Sequence, residues 1–426
     1  MGQGSENQKM PKADNRLLLI AFIVFIDMAG IGLIIPILPA LVESLGHTTV
    51  DRAAVIGGWL LFAYAAMQFL FAPVIGGLSD RFGRRPVLLG TLAALGVDYG
   101  VMAWAPTLGW LFAGRLLSGM MGATWAAANS CIADIFPPEQ RGKQFGLLGG
   151  AGASGFVLGP AIGGVLGTFD LRLPFMAASG LALTGAAIGF FIFRETLPLD
   201  RRRPFTLAHA NPFGTLVRMA RLPFVFGILA TIFLMQLAAQ SQLATWPYFL
   251  IAKFSWSKIQ IGLSVTAFGI LMAITQGGLT GPVIARLGER RSVAVSLAFG
   301  LPAYAVLACA NSGWMVYAGL VLGAMTGIAF PAMQSLMTMR IDEDCQGELQ
   351  GAIASTIGLT SIIGPPIMTR IFEHYANRSG GYFPGAPFVA AAGLMVVAIL
   401  LFLLTVRRFG AASPSAPPRR APDPQQ

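Results

Sequence analysis

The sequence predicts an all-α membrane protein with twelve transmembrane helices, and three features of the composition and pattern support this. Hydrophobic residues make up 55% of the chain and the mean hydropathy is +0.68. Charged residues are only 11%, whereas a soluble protein carries roughly a quarter. The chain also has 52 glycines, which suit helices that pack closely in lipid.

Apolar runs of about 20 residues are long enough to cross a bilayer as helices. The chain contains twelve such runs between its first charged segment and its last. Their approximate bounds are 17–40, 54–76, 86–105, 108–132, 144–167, 173–193, 223–250, 260–284, 292–310, 313–338, 348–370 and 385–406. Pro36, next to the glycines of the first run, predicts a bend there.

The polar segments divide the chain into five parts. The predicted organisation is a cytoplasmic tail (1–16), a six-helix bundle (17–193), a basic cytoplasmic linker (194–222), a second six-helix bundle (223–408) and a C-terminal tail (409–426). The last part is rich in Pro, Ala and Ser and is expected to be disordered because it cannot bury a core.

The positions of the basic residues predict the orientation. Of the 29 lysines and arginines, Arg115 lies within a span, six lie on one side of the membrane and the other 22 on the side of the two termini. The six are Arg52, Arg172, Lys253, Lys258, Arg370 and Arg378. The positive-inside rule therefore places both termini in the cytoplasm. The net charge of +10 is mostly a signal of topology, so nucleic acid is not expected as a partner.

An offset of 205 residues aligns the two halves of the chain without a gap. The aligned pairs include Gly76 with Gly281, Gly83 with Gly288, Gly122 with Gly327, Gly142 with Gly347, Gly146 with Gly351, and Gly159-Pro160 with Gly364-Pro365. Because six spans return the chain to the side on which it started, the two bundles are expected to be pseudo-symmetric and parallel. Repeats of this kind build transporters with a central site between the halves.

The differences between the halves predict a division of labour. Asp27, Asp80, Asp98 and Arg115 align with Ile232, Ala285, Ala303 and Leu320. Ionisable chemistry is therefore expected in the first half, and polar or aromatic contacts to a substrate in the second.

Three charges within the predicted spans are candidates for proton coupling: Asp27, Asp98 and Arg115. A carboxylate in mid-membrane costs several kcal/mol unless it is paired, hydrated or protonated, so its presence indicates function. A structural hydrogen bond near a helix end is the alternative for both aspartates. For Arg115 the alternative is a guanidinium that reaches the membrane surface. Asp134 is expected to pair with Arg141 or with an arginine of the loop at 80–85, or to be a plain structural charge.

The stretch "IGGLSDRFGRRPVLLG" (75–90) concentrates charge between two apolar runs. Its candidate residues for gating are Gly76, Asp80, Arg81, Gly83, Arg84 and Arg85. Arg81 and Arg85 recur as Arg286 and Arg290, which is typical of an anchor. Asp80 has no counterpart, so we expect it to pair with a loop arginine or with the N-terminus of a helix from the other half, closing the cytoplasmic side.

Polar and aromatic residues on inward faces are candidates for binding a substrate in a largely apolar pocket. They are Gln68, Gln236, Gln240, Gln276, Tyr64, Trp246 and Asn129. Gln236 and Gln240 are four residues apart and therefore share one helix face. Hydrogen bonding between helices is the alternative for each of them.

Several function classes are excluded by what the sequence lacks. It has no Walker sequence, zinc motif or nucleophile elbow, and its three cysteines form no CxxC pair. An enzyme is therefore not expected, and neither is a metal site or a cofactor; a proton gradient would drive transport.

Several motifs in order resemble the major facilitator superfamily. "GGLSDRFGRRP" is similar to its loop motif, "GRLLSGMMGA" (114–123) to its fourth-helix motif, and "GFVLGPAIGG" (155–164) to its antiporter motif, with Gly155, Gly159, Pro160, Gly163 and Gly164. The stretches "DMAGIGLIIPILP", "DYGVMAWAP", "IADIF", "GPVIARLGERR" and "QGELQG" are similar to the tetracycline efflux branch of the twelve-helix drug–proton antiporters.

The resemblance implies a monomeric multi-pass transporter of the bacterial inner membrane. It would export a drug-like, tetracycline-type compound in exchange for protons by alternating access. Two positions depart from those exporters: Met272 stands where they usually carry histidine, and Gly300 where they carry aspartate. A transporter of another metabolite or of a sugar on the same fold is the alternative.

Overall fold

The computed structural model describes residues 15–122, 124–202, 212–342, 345–377 and 381–409. The described residues form helices and connecting turns, with no strand among them. Both predicted tails, apart from their innermost residues, lie outside this part of the chain, as does the middle of the predicted linker.

The N-terminal half contains eight α-helices. They are α1 (Asn15–Ile34), α2 (Leu38–Gly46), α3 (Val50–Phe82), α4 (Arg84–Ala103), α5 (Leu108–Met121), α6 (Thr124–Ile135), α7 (Pro138–Phe169) and α8 (Leu173–Ile192). The predicted bend at Pro36 is confirmed, because a turn at 35–37 separates α1 from α2.

The C-terminal half begins with a short linker helix, α9 (Pro212–Met219). It is followed by α10 (Pro223–Phe254), α11 (Lys258–Ile274), α12 (Thr280–Cys309), α13 (Gly313–Ala324), α14 (Ala329–Thr338), α15 (Gln346–Ala376) and α16 (Ala386–Phe409). A π-helical turn (Thr275–Leu279) joins α11 to α12, and a 3₁₀ turn (Met325–Ile328) joins α13 to α14.

By length and hydropathy, ten helical segments of the described chain can cross a membrane. One of them, Lys258–Cys309, has 52 residues. At 1.5 Å per residue it would be roughly 78 Å long, more than twice the hydrocarbon core of a bilayer. Gly288, with φ of 71°, interrupts it. The all-helical membrane fold is confirmed, whereas the count of twelve spans and the side of the termini stay predictions.

Helix breaks recur at the predicted repeat offset of 205 residues. Gly83 and Gly288 both have positive φ, 106° and 71°, and each divides two consecutive helices. Gly122, where α5 ends, corresponds to Gly327, which lies in the 3₁₀ turn between α13 and α14. The duplication inferred from glycine positions therefore appears as matched interruptions in the two halves.

The two halves pack against each other at one end of the molecule. We call the end where α1 begins and α16 finishes the terminal end, and the opposite one the distal end. At the distal end α7 contacts α11: a Cβ atom added at Gly164 would lie 2.6 Å from the backbone oxygen of Lys258, and Thr266 donates a hydrogen bond to Val157. Lys258 also donates to the backbone oxygen of Gly167.

At the terminal end the glycines of α7 and of the segment that follows α11 have open space around them. A Cβ atom added at Gly146 or Gly150 of α7 would find no neighbouring atom within 4 Å, and the same is true of Gly277 and Gly281. The glycines at the distal end are thus covered by a neighbouring helix, whereas these glycines at the terminal end are not.

The buried hydrophobic clusters follow the same division. The distal cluster draws residues from both halves, such as Ile37 and Tyr99 from the first and Phe249 and Phe388 from the second. At the terminal end each half has a separate cluster of its own. The halves therefore share one core at the distal end and part from each other toward the terminal end.

Candidate substrate and proton sites

Asp98 is completely buried in α4, and neither carboxylate oxygen has a hydrogen-bond partner among the described residues. Its Oδ1 lies against α5, where a Cβ atom added at Gly114 would be 2.8 Å away. The glycine therefore gives the carboxyl group room between the two helices. A carboxyl group without a hydrogen-bond partner at this depth is costly for the fold, so its presence favours a functional role.

Arg115 lies on α5 next to this carboxyl group but makes no ion pair with a described carboxylate. Its Nη2 donates to the Sδ atom of Met102, 3.0 Å away, and its guanidinium carbon is 5.9 Å from the centre of the Tyr64 ring. Arg115 is therefore held by a sulfur atom and an aromatic face rather than by a carboxylate of the described chain.

Asp27 lies on α1 and is 6% exposed, with no hydrogen bond or ion pair to another described residue. One turn further on, Gly30 packs against the hydroxyl group of Tyr99, 2.6 Å from where a Cβ atom would be. Tyr99 follows Asp98 directly in α4, so α1 and α4 approach each other beside the two aspartates. Asp27, Asp98 and the half-buried Arg115 therefore all lie near the rings of Tyr64 and Tyr99.

Gln68 has a different role from the one its sequence position suggests. Its Nε2 donates to the backbone oxygen of Gly122, 2.8 Å away, and to the hydroxyl group of Tyr64, at 3.3 Å. The first bond satisfies a carbonyl group at the break between α5 and α6. Gln68 thus provides the alternative predicted for the polar candidates, a hydrogen bond between helices.

The charged loop motif centres on Arg84, the first residue of α4, which is only 8% exposed. Its Nη1 is 2.6 Å from Asp80, its Nε is 2.9 Å from Asp134, and it also bonds to Ser79. The prediction that Asp134 pairs with a loop arginine is confirmed. Arg141 instead donates to the backbone oxygens of Ala133 and Phe136, at the end of α6.

Asp80 therefore pairs with a loop arginine inside the first half, one of the two partners expected for it. Within the described ranges its one ion pair is with Arg84, and its side chain is 47% exposed. Arg85 donates to the backbone oxygen of Phe190 and stacks on its ring, while Arg81 lies over Phe82. A Cβ atom added at Gly76 would meet nothing within 4 Å.

Glu195 is a member of this network that the sequence did not reveal. Its carboxylate accepts hydrogen bonds from the backbone N–H groups of Arg84 and Arg85, at 2.8 and 3.3 Å, and so caps the N-terminus of α4. It also accepts from Thr196 and Leu197. The carboxylate occupies the place that a Cβ atom on Gly83 would take, which explains the glycine in addition to its φ.

The small residues of the antiporter motif, which lies on α7, allow two other helices to pack closely against α7. Gly155, Gly159 and Gly163 pack on the backbone of α1, and at Gly159 an added Cβ atom would lie 2.6 Å from the oxygen of Ala29. Gly164 faces α11 instead, and Pro160 contacts both neighbours: its ring lies against Gly32 of α1 and its backbone oxygen against Gly262 of α11. Gly164 and Pro160 therefore belong to the contact by which the two halves meet at the distal end, whereas the other three glycines join α7 to α1 within the first half.

The second half contains a cavity of about 530 Å³, within the range of pockets that hold drug-sized ligands. Only Ile35 and Phe156 of its lining come from the first half. Most of the wall is apolar or aromatic, and its polar groups are glutamine amides and hydroxyl groups. The cavity lies between α10, α11, α13 and α15.

All four candidates from the second half line this cavity: Gln236, Gln240, Trp246 and Gln276. The candidates from the first half, Gln68, Tyr64 and Asn129, do not. Sequence reasoning missed Gln242 and Tyr304, which also line it; only their polar atoms within apolar runs could have indicated them.

The two positions that depart from the tetracycline exporters are placed differently. Met272 lines the cavity, and its Cε atom is 3.0 Å from where a Cβ atom on Gly327 would lie. Gly300 lies outside the cavity wall and packs against Met395, 2.5 Å from the position of an added Cβ atom. Only the first departure therefore changes a surface that a ligand in the cavity would touch.

Comparison with known proteins identifies the family. The family model of the Major Facilitator Superfamily matches residues 20–246 and 228–424. The class C tetracycline resistance protein of Escherichia coli is 40% identical over 388 residues, which cover 91% of this chain and 96% of that protein. The class G protein of Vibrio anguillarum is 37% identical, covering 86% of this chain and 92% of its own length.

Solved structures share the fold at lower identity. A bacterial homologue of the human lysosomal transporter Spinster, in an inward-facing and occupied conformation, has a TM-score of 0.78 at 17% identity, covering 97% of this chain and all of its own. The human organic anion transporter MFSD10 has a TM-score of 0.69 at 23% identity, covering 92% of this chain and all of its own. The chain belongs to the major facilitator superfamily and is a multi-pass membrane transporter rather than an enzyme.

Proposed function

We propose that the chain is a proton-coupled antiporter that exports a drug-like amphipathic compound, with tetracycline-type compounds as its first candidates. The observation that carries the proposal is the separation of two chemistries. Two buried carboxyl groups, Asp27 and the unpartnered Asp98, lie in the described first half, and a cavity of drug size without a charged residue in its wall lies in the second. Relatives named as tetracycline resistance proteins support the choice of compound.

Proton coupling is assigned to Asp27 and Asp98. A carboxyl group that is buried without a partner is neutral at little cost, and it ionises when water reaches it. A change in the packing of α1 and α4 would alter that access. Arg115, held on Met102 and Tyr64, is the adjacent fixed charge and would favour proton release once it approaches the ionised group.

In alternating access, the closed end of the molecule would open while the open end closes. In this conformation the halves meet at the distal end and part at the terminal end. With the predicted orientation, the open end faces the cytoplasm, from which an exporter takes its substrate. The bacterial inner membrane is the proposed location, with the proton gradient as the source of energy and a monomer as the working unit.

Asp27→Asn tests the coupling because asparagine keeps the shape of the side chain but cannot take up a proton. In proteoliposomes with an imposed pH gradient, we expect accumulation of tetracycline to fall to background. Exchange of labelled for unlabelled tetracycline without a gradient should persist. Asp170→Asn is the matched control, since Asp170 is exposed and asparagine still accepts the hydrogen bond from the backbone N–H of Arg172.

Accumulation by Asp27→Asn at the wild-type rate would contradict the coupling role. A transporter of a sugar or another polar metabolite is the second candidate on this fold. The mostly apolar wall of the cavity argues against it, since a sugar needs a polar partner for almost every hydroxyl group. Uptake of labelled sugar by the same vesicles would favour it instead.

A further inference from the structure

Asp98 and Arg115 are complementary groups that lie close together without pairing. Both oxygen atoms of the Asp98 carboxyl group are buried without a hydrogen-bond partner among the described residues, and so is the Nε atom of Arg115. Arg115 follows Gly114 directly in α5, and Gly114 faces Oδ1 of Asp98. Buried polar groups have lost their hydration, so neighbouring donors and acceptors normally pair. The separation of these two groups therefore needs a structural cause.

Met102 contacts the surroundings of both groups. It lies one turn after Asp98 in α4, and residues at this spacing share one helix face. A Cβ atom added at Gly114 would lie 2.8 Å from Oδ1 of Asp98, 2.8 Å from Cγ of Met102 and 3.3 Å from its Sδ. The same sulfur atom accepts a hydrogen bond from Nη2 of Arg115, at 3.0 Å. Met102 thus binds the guanidinium at a point beside the carboxyl group.

The groups that hold Arg115 do so weakly. A thioether is a weak acceptor, and the Tyr64 ring, 5.9 Å from the guanidinium carbon, contributes only a cation–π contact. Ser118 does not supply the carboxyl group with a donor instead, because its hydroxyl group donates to the backbone oxygens of Gly114 and Arg115, at 2.9 and 3.4 Å. An ionised Asp98 can therefore compete with the sulfur atom for the guanidinium.

Few other titratable groups lie near Asp98. Those of the described chain are Asp27 on α1, Tyr64 on α3, Tyr99 on α4 and Arg115 on α5. The helix α8, which also packs on α4, has no titratable side chain. Cys131 and Asp134 of α6 lie near Arg84, at the other end of α4. Arg115 is therefore the one described cation beside this carboxyl group.

We propose that Met102 is a positioning residue of the proton site: its sulfur atom holds the guanidinium of Arg115 off Asp98 and so leaves the carboxyl group free to take up a proton. This inference rests on the proposed function, which it deepens by naming the residue that regulates proton uptake at Asp98. When the carboxyl group loses its proton to water, the carboxylate becomes the stronger acceptor. The guanidinium then leaves the sulfur atom and pairs with the carboxylate.

The test is an infrared titration of the purified full chain in detergent, without a gradient or a substrate. A protonated carboxyl group has a C=O stretching band that ionisation removes, and the part of this band that is absent from Asp98→Asn belongs to Asp98. Met102→Leu keeps the volume of the side chain and removes the acceptor. Arg115 then turns to Asp98, so the pH at which the band is half lost should fall by about one unit or more, the effect of a cation that approaches a carboxylate.

Met333→Leu is the matched control. Met333 is buried like Met102, but it lies in the apolar cluster at the terminal end of the second half, so the midpoint of the titration should not move. In an Arg115→Gln background, Met102→Leu should leave the midpoint unchanged too, because the group that the sulfur atom positions is gone. Thermal unfolding in detergent shows whether each variant is folded, and Met102→Ile replaces Met102→Leu if that variant is not.

The inference is overturned if no part of the wild-type band belongs to Asp98, if folded Met102→Leu has the midpoint of wild type, or if the shift persists in the Arg115→Gln background. Failure of both Met102 variants to fold would also overturn it, since Met102 would then be a packing residue. The proposed function fails separately. A midpoint that depends on Met102 without gradient-driven export of tetracycline would remove the antiport and leave the role of Met102 standing. Gradient-driven export with an unchanged midpoint would do the reverse.

Discussion

Arg84 shows how a residue of a charged loop can be a core residue. Only 8% exposed, it lies between Asp80 and Asp134, and its backbone N–H bonds to Glu195. Four elements, α3, α4, α6 and the segment after α8, therefore meet at one guanidinium and its peptide group. Breaking a partly buried ion pair leaves its partners without compensation for their lost hydration.

Arg84→Ala is expected to lower the free energy of unfolding by about 2–3 kcal/mol, because Asp134 then keeps its burial and loses its partner. Denaturant titration in mixed micelles measures the loss. Arg81→Ala is the matched control, with an expected change below about 1 kcal/mol, since Arg81 is exposed and only stacks on Phe82. Equal losses in the two variants would show that Arg84 is an ordinary surface charge.

At the residue scale, the sequence predicted where charged residues lie better than it predicted the groups that pair with them. Asp27 and Asp98 are buried as expected and Arg115 is half-buried, because a charged side chain within a long apolar run can reach little water. Glu195 escaped prediction because it lies in a linker rich in charge, where one more carboxylate is unremarkable. Its hydrogen bonds come from backbone N–H groups, which no residue type marks, and its one ion-pair partner in the described chain is Arg202 of the same linker.

At the scale of elements, helix interruptions are the most predictable feature, since glycine and proline mark them. The turn at 35–37 and the breaks at Gly83 and Gly288 lie at proline or glycine in or beside predicted span ends, whereas the interruption at Gly122 divides the single span predicted at 108–132. The π-helical turn at Thr275–Leu279 was not predicted either, because one extra residue within a helical turn changes no periodicity that a short apolar run can display.

Gly83 and Gly288 provide a matched experiment on one such interruption. Both have φ and ψ in a region open almost only to glycine, so an alanine costs about 1–3 kcal/mol at either position. At Gly83 the new methyl group must also displace the carboxylate of Glu195, whereas at Gly288 it meets nothing within 4 Å. We expect Gly83→Ala to be about 2 kcal/mol more destabilising than Gly288→Ala, measured by denaturant titration.

Removal of Glu195 provides the check on that cause. In a Glu195→Ala background the difference between the two glycine variants should largely disappear. A difference that persists would assign the cost to the backbone at Gly83 alone.

At the scale of the whole molecule, the sequence predicted two related bundles, but it could not predict which end is closed. The two closed states of a transporter use the same residues in different contacts, and their energies differ by little. The closed distal end is evident only from the structure, where Val157 packs on Gly269 and the backbone of Pro160 packs on Gly262.

A disulfide across the distal contact should arrest transport. A Cβ atom at position 269 would lie 3.6 Å from that of Val157, which suits a disulfide. In a Cys309→Ser, Cys345→Ser background, Val157→Cys with Gly269→Cys should cross-link on oxidation and reduce export to background. Reduction should restore it.

Gly150→Cys with Gly277→Cys is the control at the terminal end, where neither position has a neighbour within 4 Å. This pair should not cross-link in detergent in the conformation described. Export that continues while the distal cysteines are cross-linked would show that the distal end does not need to open for transport.

The near confinement of the cavity to one half has a consequence for the evolution of resistance. Most of the residues that a substrate in the cavity would touch lie on α10 to α16, so most substitutions that change the substrate would leave the buried carboxylates of the first half untouched. Populations selected on new compounds should therefore accumulate mutations in the second half, while the first half stays under purifying selection. Such a chain can change its substrate without changes at the buried carboxylates of its first half.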